Sequence, residues 1–234
     1  MIFTHPQNRL RAKRFQLRVV LISFFSVFVL AVGLLMARLW GLSLPTAEFQ
    51  HAFFSESPWY GAEVFTLAEA ESIVKKNEQA ILYLSVRLSA DQVLFVQEPK
   101  VFETFISEGT LPAQDYKGQR PYFYDFAFLK KAFPGILPVE IFLEKFPRQR
   151  VILNIEDSSF DVHKITIEKI KKFSPEKRVV IQSHTDVVLK SIKEIQPLWA
   201  YGTSLPELMR ALSFDSIGVL PAVQMRSDIF ISRL

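Results

Sequence analysis

The sequence predicts an α/β fold carried on a mostly parallel sheet, set behind one N-terminal membrane-spanning helix. Three observations point there. Residues 19–37 run without a charge. Beyond them, short apolar runs alternate with amphipathic stretches, which is the pattern of strands joined by helices. The run 81–88, ILYLSVRL, is an apolar strand with Tyr83 and Val86 suited to a pleated surface, and the rest of the domain is organised around it.

The first 40 residues account for the basic balance. The chain has 234 residues, 49% hydrophobic and 22% charged, enough for one membrane segment and one globular domain. Six of its 28 basic residues (Arg9, Arg11, Lys13, Arg14, Arg18 and Arg38) precede the first acid, Glu48, and the remainder carries a net −2. A nucleic-acid partner is excluded, because that footprint needs cations clustered on the folded domain. Cysteine is absent, which removes disulfides and thiolate chemistry. A 19-residue helix spans roughly the ~30 Å hydrocarbon core. Five cations before it and one after place the N-terminus in the cytoplasm and the domain outside it. A cleaved signal peptide is the competing reading, but its apolar core is usually ~7–15 residues, and no A-x-A site follows here. The expected organisation is therefore a basic tail over 1–18, a single-pass signal anchor over 19–40, a linker over 41–46 and one domain over 47–234.

In chain order, residues 48–54 are a first strand candidate. Thr66 and Glu69 form a capping box for a helix whose apolar face carries Leu67, Ala70 and Val74. The strand 81–88 follows, then a polar turn at 89–92 and a short strand at 93–96. Residues 101–107 are one or two helical turns, and 108–124 read as a long irregular excursion. Short helices over 125–133 and 138–146 lead to a strand at 151–155, an amphipathic helix at 165–173 and a strand at 179–182. A helix at 186–195, a strand at 198–201 and a helix capped by Ser204 and Glu207 come next. A seventh strand candidate lies at 216–220.

The stretch 80–99, AILYLSVRLSADQVLFVQEP, resembles the signature E-L-D-V-x-x-T-x-D-G-x-x-V-x-x-H-D of the glycerophosphodiester phosphodiesterase family, with Leu84, Val86, Leu88, Asp91, Val93 and Val96 in register. Residues 135–157, GILPVEIFLEKFPRQRVILNIED, are similar to the family's I-P-T-L-E-E-V-L…P…L-N-I-E-I-K, and VVIQSH at 179–184 to its V-I-I-Q-S-F strand. The resemblance implies a TIM-type (β/α)8 barrel. The family's W-T-V-N and G-V-D-G-I-I-T-D strands are not found. That leaves a barrel lacking one or two terminal strands, a truncated product, or a barrel rebuilt by other residues. An open barrel would expose an edge that calls for a covering segment or protein partner.

The resemblance also implies a site at the C-terminal ends of the strands, where the family's hydrolysis uses a divalent cation (Ca²⁺ or Mg²⁺) and two histidines. His51 stands for the His of H-R-G, with Ala52 and Phe53 replacing Arg and Gly. Glu63 stands for the Glu of P-E-N-T, as a substrate-binding residue. Glu156 stands for the third metal carboxylate. Tyr83 and Ser85 replace the other two, and Glu98 replaces the second His. His184, where the family has Phe, is an outside candidate. His51, Glu98 and Glu156 are expected to gather at one rim. Two function classes follow: a membrane-anchored relative that has lost its metal and acid–base positions, keeping a headgroup pocket or serving as a structural module, and an active metal-dependent phosphodiesterase. A membrane-tethered domain with only coincidental likeness to the family is the third alternative.

Overall fold

The computed structural model describes residues 6–45, 50–55, 60–98, 121–159 and 161–231. They divide into two units, 1–47 with 210–224 and 48–209 with 225–234. In the first unit, helix α1 spans Pro6–Ser43, and its Gln16–Ser43 stretch is long and apolar enough to cross a membrane. The expected linker thus begins as helix, since residues 41–43 belong to α1. Gly41 backs directly on Pro221 and Ala222, leaving no room for a Cβ.

The second unit is α/β, as expected, with a seven-stranded sheet. Strand β1 is Gly61–Glu63, followed by helix α2 (Leu67–Lys76), β2 (Ile81–Leu88) and β3 (Leu94–Val96). Helix α3 (Phe126–Ala132), β4 (Leu137–Pro138) and α4 (Val139–Lys145) come next. Strand β5 (Val151–Ile155), α5 (Val162–Ile170), α6 (Pro175–Arg178), β6 (Val179–Ser183), α7 (Asp186–Ile195), β7 (Ala200–Tyr201) and α8 (Leu205–Ser216), of which residues 210–216 belong to the first unit, complete the order. Strands β1, β2, β5, β6 and β7 lie side by side in that order, all parallel, as the wall of a barrel runs. Beyond β1, the upper half of β2 pairs instead with antiparallel β3, and β3 with β4. Among the described residues the sheet does not close into a ring. Its β7 edge is covered by the chain itself: the Asp228 and Ile229 amides donate to the Tyr201 carbonyl, and Ile229 bridges Gly202.

Alternation along β2 sorts its side chains onto two faces. Leu82, Leu84 and Val86 join Leu153, Ile155 and Ile181 in a core shared with Ala70, Phe142, Ile165 and Leu189 of the surrounding helices. Ile81 and Tyr83 join Ile152, Val180 and Ala200 on the inner face, with Phe53 buried against them and Ile229 and Ile231 packed alongside. Two arginines tie the N-terminal pole of the strands together. Arg150 donates to the Phe53 and Gln79 carbonyls at 3.1 Å each. Arg178 donates to four carbonyls, of Leu143, Phe146, Gln149 and Phe173, at 3.0–3.1 Å.

Several boundaries depart from the sequence reading. The expected first strand at 48–54 is, where described, a 3₁₀ turn at Ala52–Phe54, with His51 accepting the Phe53 amide through Nδ1 at 3.1 Å. The strand comes later, at β1. Residues 216–220 are not a strand: α8 runs on to Ser216, and a 3₁₀ turn occupies Leu220–Ala222. The Thr66–Glu69 capping box is formed in both directions. The second is half formed: the Ser204 hydroxyl accepts the Glu207 amide at 3.3 Å, but the Glu207 carboxylate caps the Arg226 and Ser227 amides instead. The helical turns expected at 101–107 lie outside the described residues, as does the excursion up to residue 120.

Candidate functional site

The inner face of the sheet changes character along the strands. At the N-terminal ends it is apolar, with Ile81, Ile152, Val180 and Ala200. One row beyond Tyr83, Ile152 and Val180, the residues Ser85, Asn154 and Gln182 stand side by side in register across β2, β5 and β6. Gln97 extends this row, because its amide donates to the Ser85 carbonyl at 3.1 Å and continues the β3–β2 ladder. Four neutral polar side chains thus line one level of the barrel wall.

Above that row, at the strands' C-terminal ends, stand Glu156 and His184. Asn154 donates through Nδ2 to Glu156 Oε1 at 2.5 Å. His184 Nε2 lies 3.5 Å from Glu156 Oε2, with the carboxylate side chain 11% exposed and the imidazole 56%. The Glu156 amide donates to the Val86 carbonyl and fixes the backbone beside β2. A shielded carboxylate held by an amide and facing an open imidazole can orient that imidazole and help move a proton at the rim. His184, an outside candidate from the sequence, is thus the residue that reaches Glu156.

The other expected residues are placed as follows. Glu63 ends β1 beside Tyr83, one row below Ser85. Tyr83 is buried in the inner apolar cluster and Ser85 is fully buried. Glu98 lines a pocket with Phe65, Thr66 and residues 132–136. His51 does not join Glu156 at the rim. The turn it caps carries Phe53, which packs on the N-terminal ends of the strands and is bound by Arg150, immediately before β5. The cause is local: Phe53 is buried, and it draws the turn into the apolar pole.

The donor set does not fit a divalent cation. Such an ion takes several oxygens, usually including more than one carboxylate. Glu156 already meets an amide and an imidazole, and Tyr83 and Ser85 supply no charge at neutral pH. Asp157, next in sequence, spends Oδ2 on the Leu88 amide at 2.6 Å and has Oδ1 3.9 Å from Arg87. Among the described residues, no group of three or more His, Cys, Asp or Glu could hold a metal ion.

Gln97, Asn154, Gln182 and Asp157 were missed as site residues. The signal for two of them is legible: Asn154 in β5 and Gln182 in β6 are neutral polar residues near the end of an apolar run, as Ser85 is in β2.

No protein-family model matches the chain, and no curated protein does either. The domain is similar to solved glycerophosphodiester phosphodiesterases. With the glycerophosphoryl diester phosphodiesterase domain of a Mycobacterium tuberculosis protein it shares 12% identity at a TM-score of 0.48, over 70% of this chain and 66% of that one. With the glycerophosphodiester phosphodiesterase from Agrobacterium tumefaciens it shares 16% at 0.45, over 61% of each. With that from Parabacteroides distasonis it shares 15% at 0.44, over 69% of this chain and 72% of that one. The chain thus spans less than two thirds of the Agrobacterium protein's length.

Proposed function

We propose that the chain is a membrane-anchored, glycerophosphodiester phosphodiesterase-like domain that does not hydrolyse these substrates by the family's metal-dependent route. The observation that carries this reading is the residue types at the places of the other expected metal carboxylates. Three carboxylates are expected of the family's metal site, and Tyr83 and Ser85 occupy the places of the other two. The acid–base pair is reduced as well, with Glu98 in place of one His and His51 drawn to the far pole. General acid–base help is worth typically 10²–10⁴-fold. Loss of the cation and of that help together removes most of what such a site offers. The remaining rim, Glu156 with Asn154 and His184, is suited to holding a polar headgroup. The apolar stretch of α1, flanked by cations at its N-terminal side, is the anchor of this reading.

An active metal-dependent phosphodiesterase, acting on glycerophosphodiesters in lipid metabolism, is the second reading, favoured by the 3.5 Å approach of His184 to Glu156. The test is glycerophosphocholine hydrolysis by the purified full chain with Ca²⁺ or Mg²⁺. The expected result is no turnover above the protein-free rate. Turnover abolished both by chelator and by Glu156→Ala would establish the second reading instead.

A further inference from the structure

We propose that the pocket between the end of β3 and the loop following α3 binds a small uncharged amphiphile, an apolar body ending in a carboxamide or a hydroxyl. The pocket is open to solvent and offers about 300 Å³, at the small end of the ~300–1,000 Å³ range of ligand sites. Phe65, Val96, Phe133, Pro134 and Ile136 make most of its wall apolar.

The polar residue that fixes the chemistry is Gln97. It lines the pocket, it is 3% exposed, and neither its Oε1 nor its Nε2 has a hydrogen-bond partner among the described residues. A buried carboxamide left in this state opposes folding, and leucine would fill the same space without that penalty. Its backbone is not free to move away, because the Gln97 amide is bonded to the Ser85 carbonyl. Both polar atoms are shielded in this conformation, and rotation about the side chain's three bonds is what would bring one donor and one acceptor to the pocket together. A carboxamide answers both at once by pairing head to head, and a hydroxyl does so singly. Glu98 lines the same pocket, and no Lys or Arg is among its described lining residues. Like charge therefore disfavours an anionic head. Neither Glu156 nor His184 contributes to the wall, so the pocket does not use the charged pair of the rim, and the inference does not rest on the phosphodiester reading.

The test uses the full chain in lipid nanodiscs, titrated with octanamide, with octanoate and empty nanodiscs as controls. Octanamide is expected to bind saturably and raise Tm, and octanoate to do neither. Gln97→Leu is expected to raise the Tm of the ligand-free protein while weakening octanamide binding about tenfold or more. Gly135 lines the pocket, and an added Cβ there meets nothing within 4 Å. Gly135→Leu should therefore occupy the pocket and abolish binding without lowering Tm. The proposal is overturned if octanamide fails to bind saturably, if octanoate binds equally well, or if octanamide binds Gly135→Leu as it binds the wild type.

Discussion

Asp91 shows how one side chain joins a turn to a helix 35 residues away. Its Oδ1 accepts the Ser89 hydroxyl at 2.6 Å and the Phe126 amide at 2.8 Å. Helix α3 begins at Phe126, and its own neighbour Asp125 makes no capping bond, so Asp91 supplies the cap from the hairpin turn. Burial pulls the Asp91 carboxyl pKa up, but the Ser89 hydroxyl and the Phe126 and Asp91 amides outweigh it and hold it below the usual carboxylate value. A pKa lowered in the folded state stabilises above the unfolded value, near 4, and that contribution is lost as pH falls through the folded value. Asp91→Ala is expected to cost about 1 kcal/mol at pH 7, the usual worth of a cap. Denaturant titrations should show that gap steady from neutral pH to about pH 5 and closing below about pH 4. A gap independent of pH would remove the carboxylate from the account. Asp91 was legible in the sequence, as the Asp of the resembled turn. Glu156 was legible in the same way. Gln97 was not, because nothing along the chain says that residue 97 stands opposite residue 85.

At the scale of elements, strands and helices with strong apolar periodicity were read correctly: β2, β5 and α7 have the expected bounds, 81–88, 151–155 and 186–195. The failures fall where tertiary contact decides. Residues 48–54 look like a strand because they are apolar, yet Phe53 is worth more as a plug under the sheet than as one residue of a ladder. The helix that the sequence starts at Ser204 and Glu207 meets no Gly after its first turn until Gly218, and α8 runs to Ser216. Arg178 joins α6 to the end of α4, satisfying the Leu143 and Phe146 carbonyls that a helix leaves open at its C-terminus. Burial lowers its guanidinium pKa from the ordinary value, yet an arginine stays charged at any working pH. Arg178→Ala is expected to destabilise the domain by about 3 kcal/mol, since four partly buried acceptors lose a charged donor at once. Arg178→Lys should recover only part of this, because an ammonium cannot fork to four carbonyls. Equal stability of the Lys variant and wild type, by urea denaturation, would show that charge alone matters there.

For the molecule as a whole, the sequence announced an α/β domain, and parallel β1, β2, β5, β6 and β7 in spatial order bear that out. It did not announce how the inner face is filled. That is done by Phe53 from before β1 and by Ile229 and Ile231 from beyond α8, segments with no regular periodicity of their own. The tail is held by polar contacts: Asp228 accepts the Tyr201 amide at 2.9 Å and the Lys193 ammonium at 3.0 Å. The remaining whole-molecule expectation is orientation. The apolar run of α1 has five cations before it and only Arg38 closely after it. Retention of cations on the cytoplasmic side is set by segments flanking the span, while a folded domain translocates largely regardless of its own charge. The near-balanced charge beyond residue 38 therefore has little influence, and the basic tail decides. Fusions placed after Trp40 in a bacterial host are expected to activate an alkaline phosphatase reporter, which folds outside the cytoplasm, and to leave a green fluorescent protein reporter dark. Replacing Arg9, Arg11, Lys13 and Arg14 with Gln should weaken that bias and give mixed signals. A reporter pair active only in the cytoplasm would place the domain inside the cell and detach it from any extracytoplasmic headgroup.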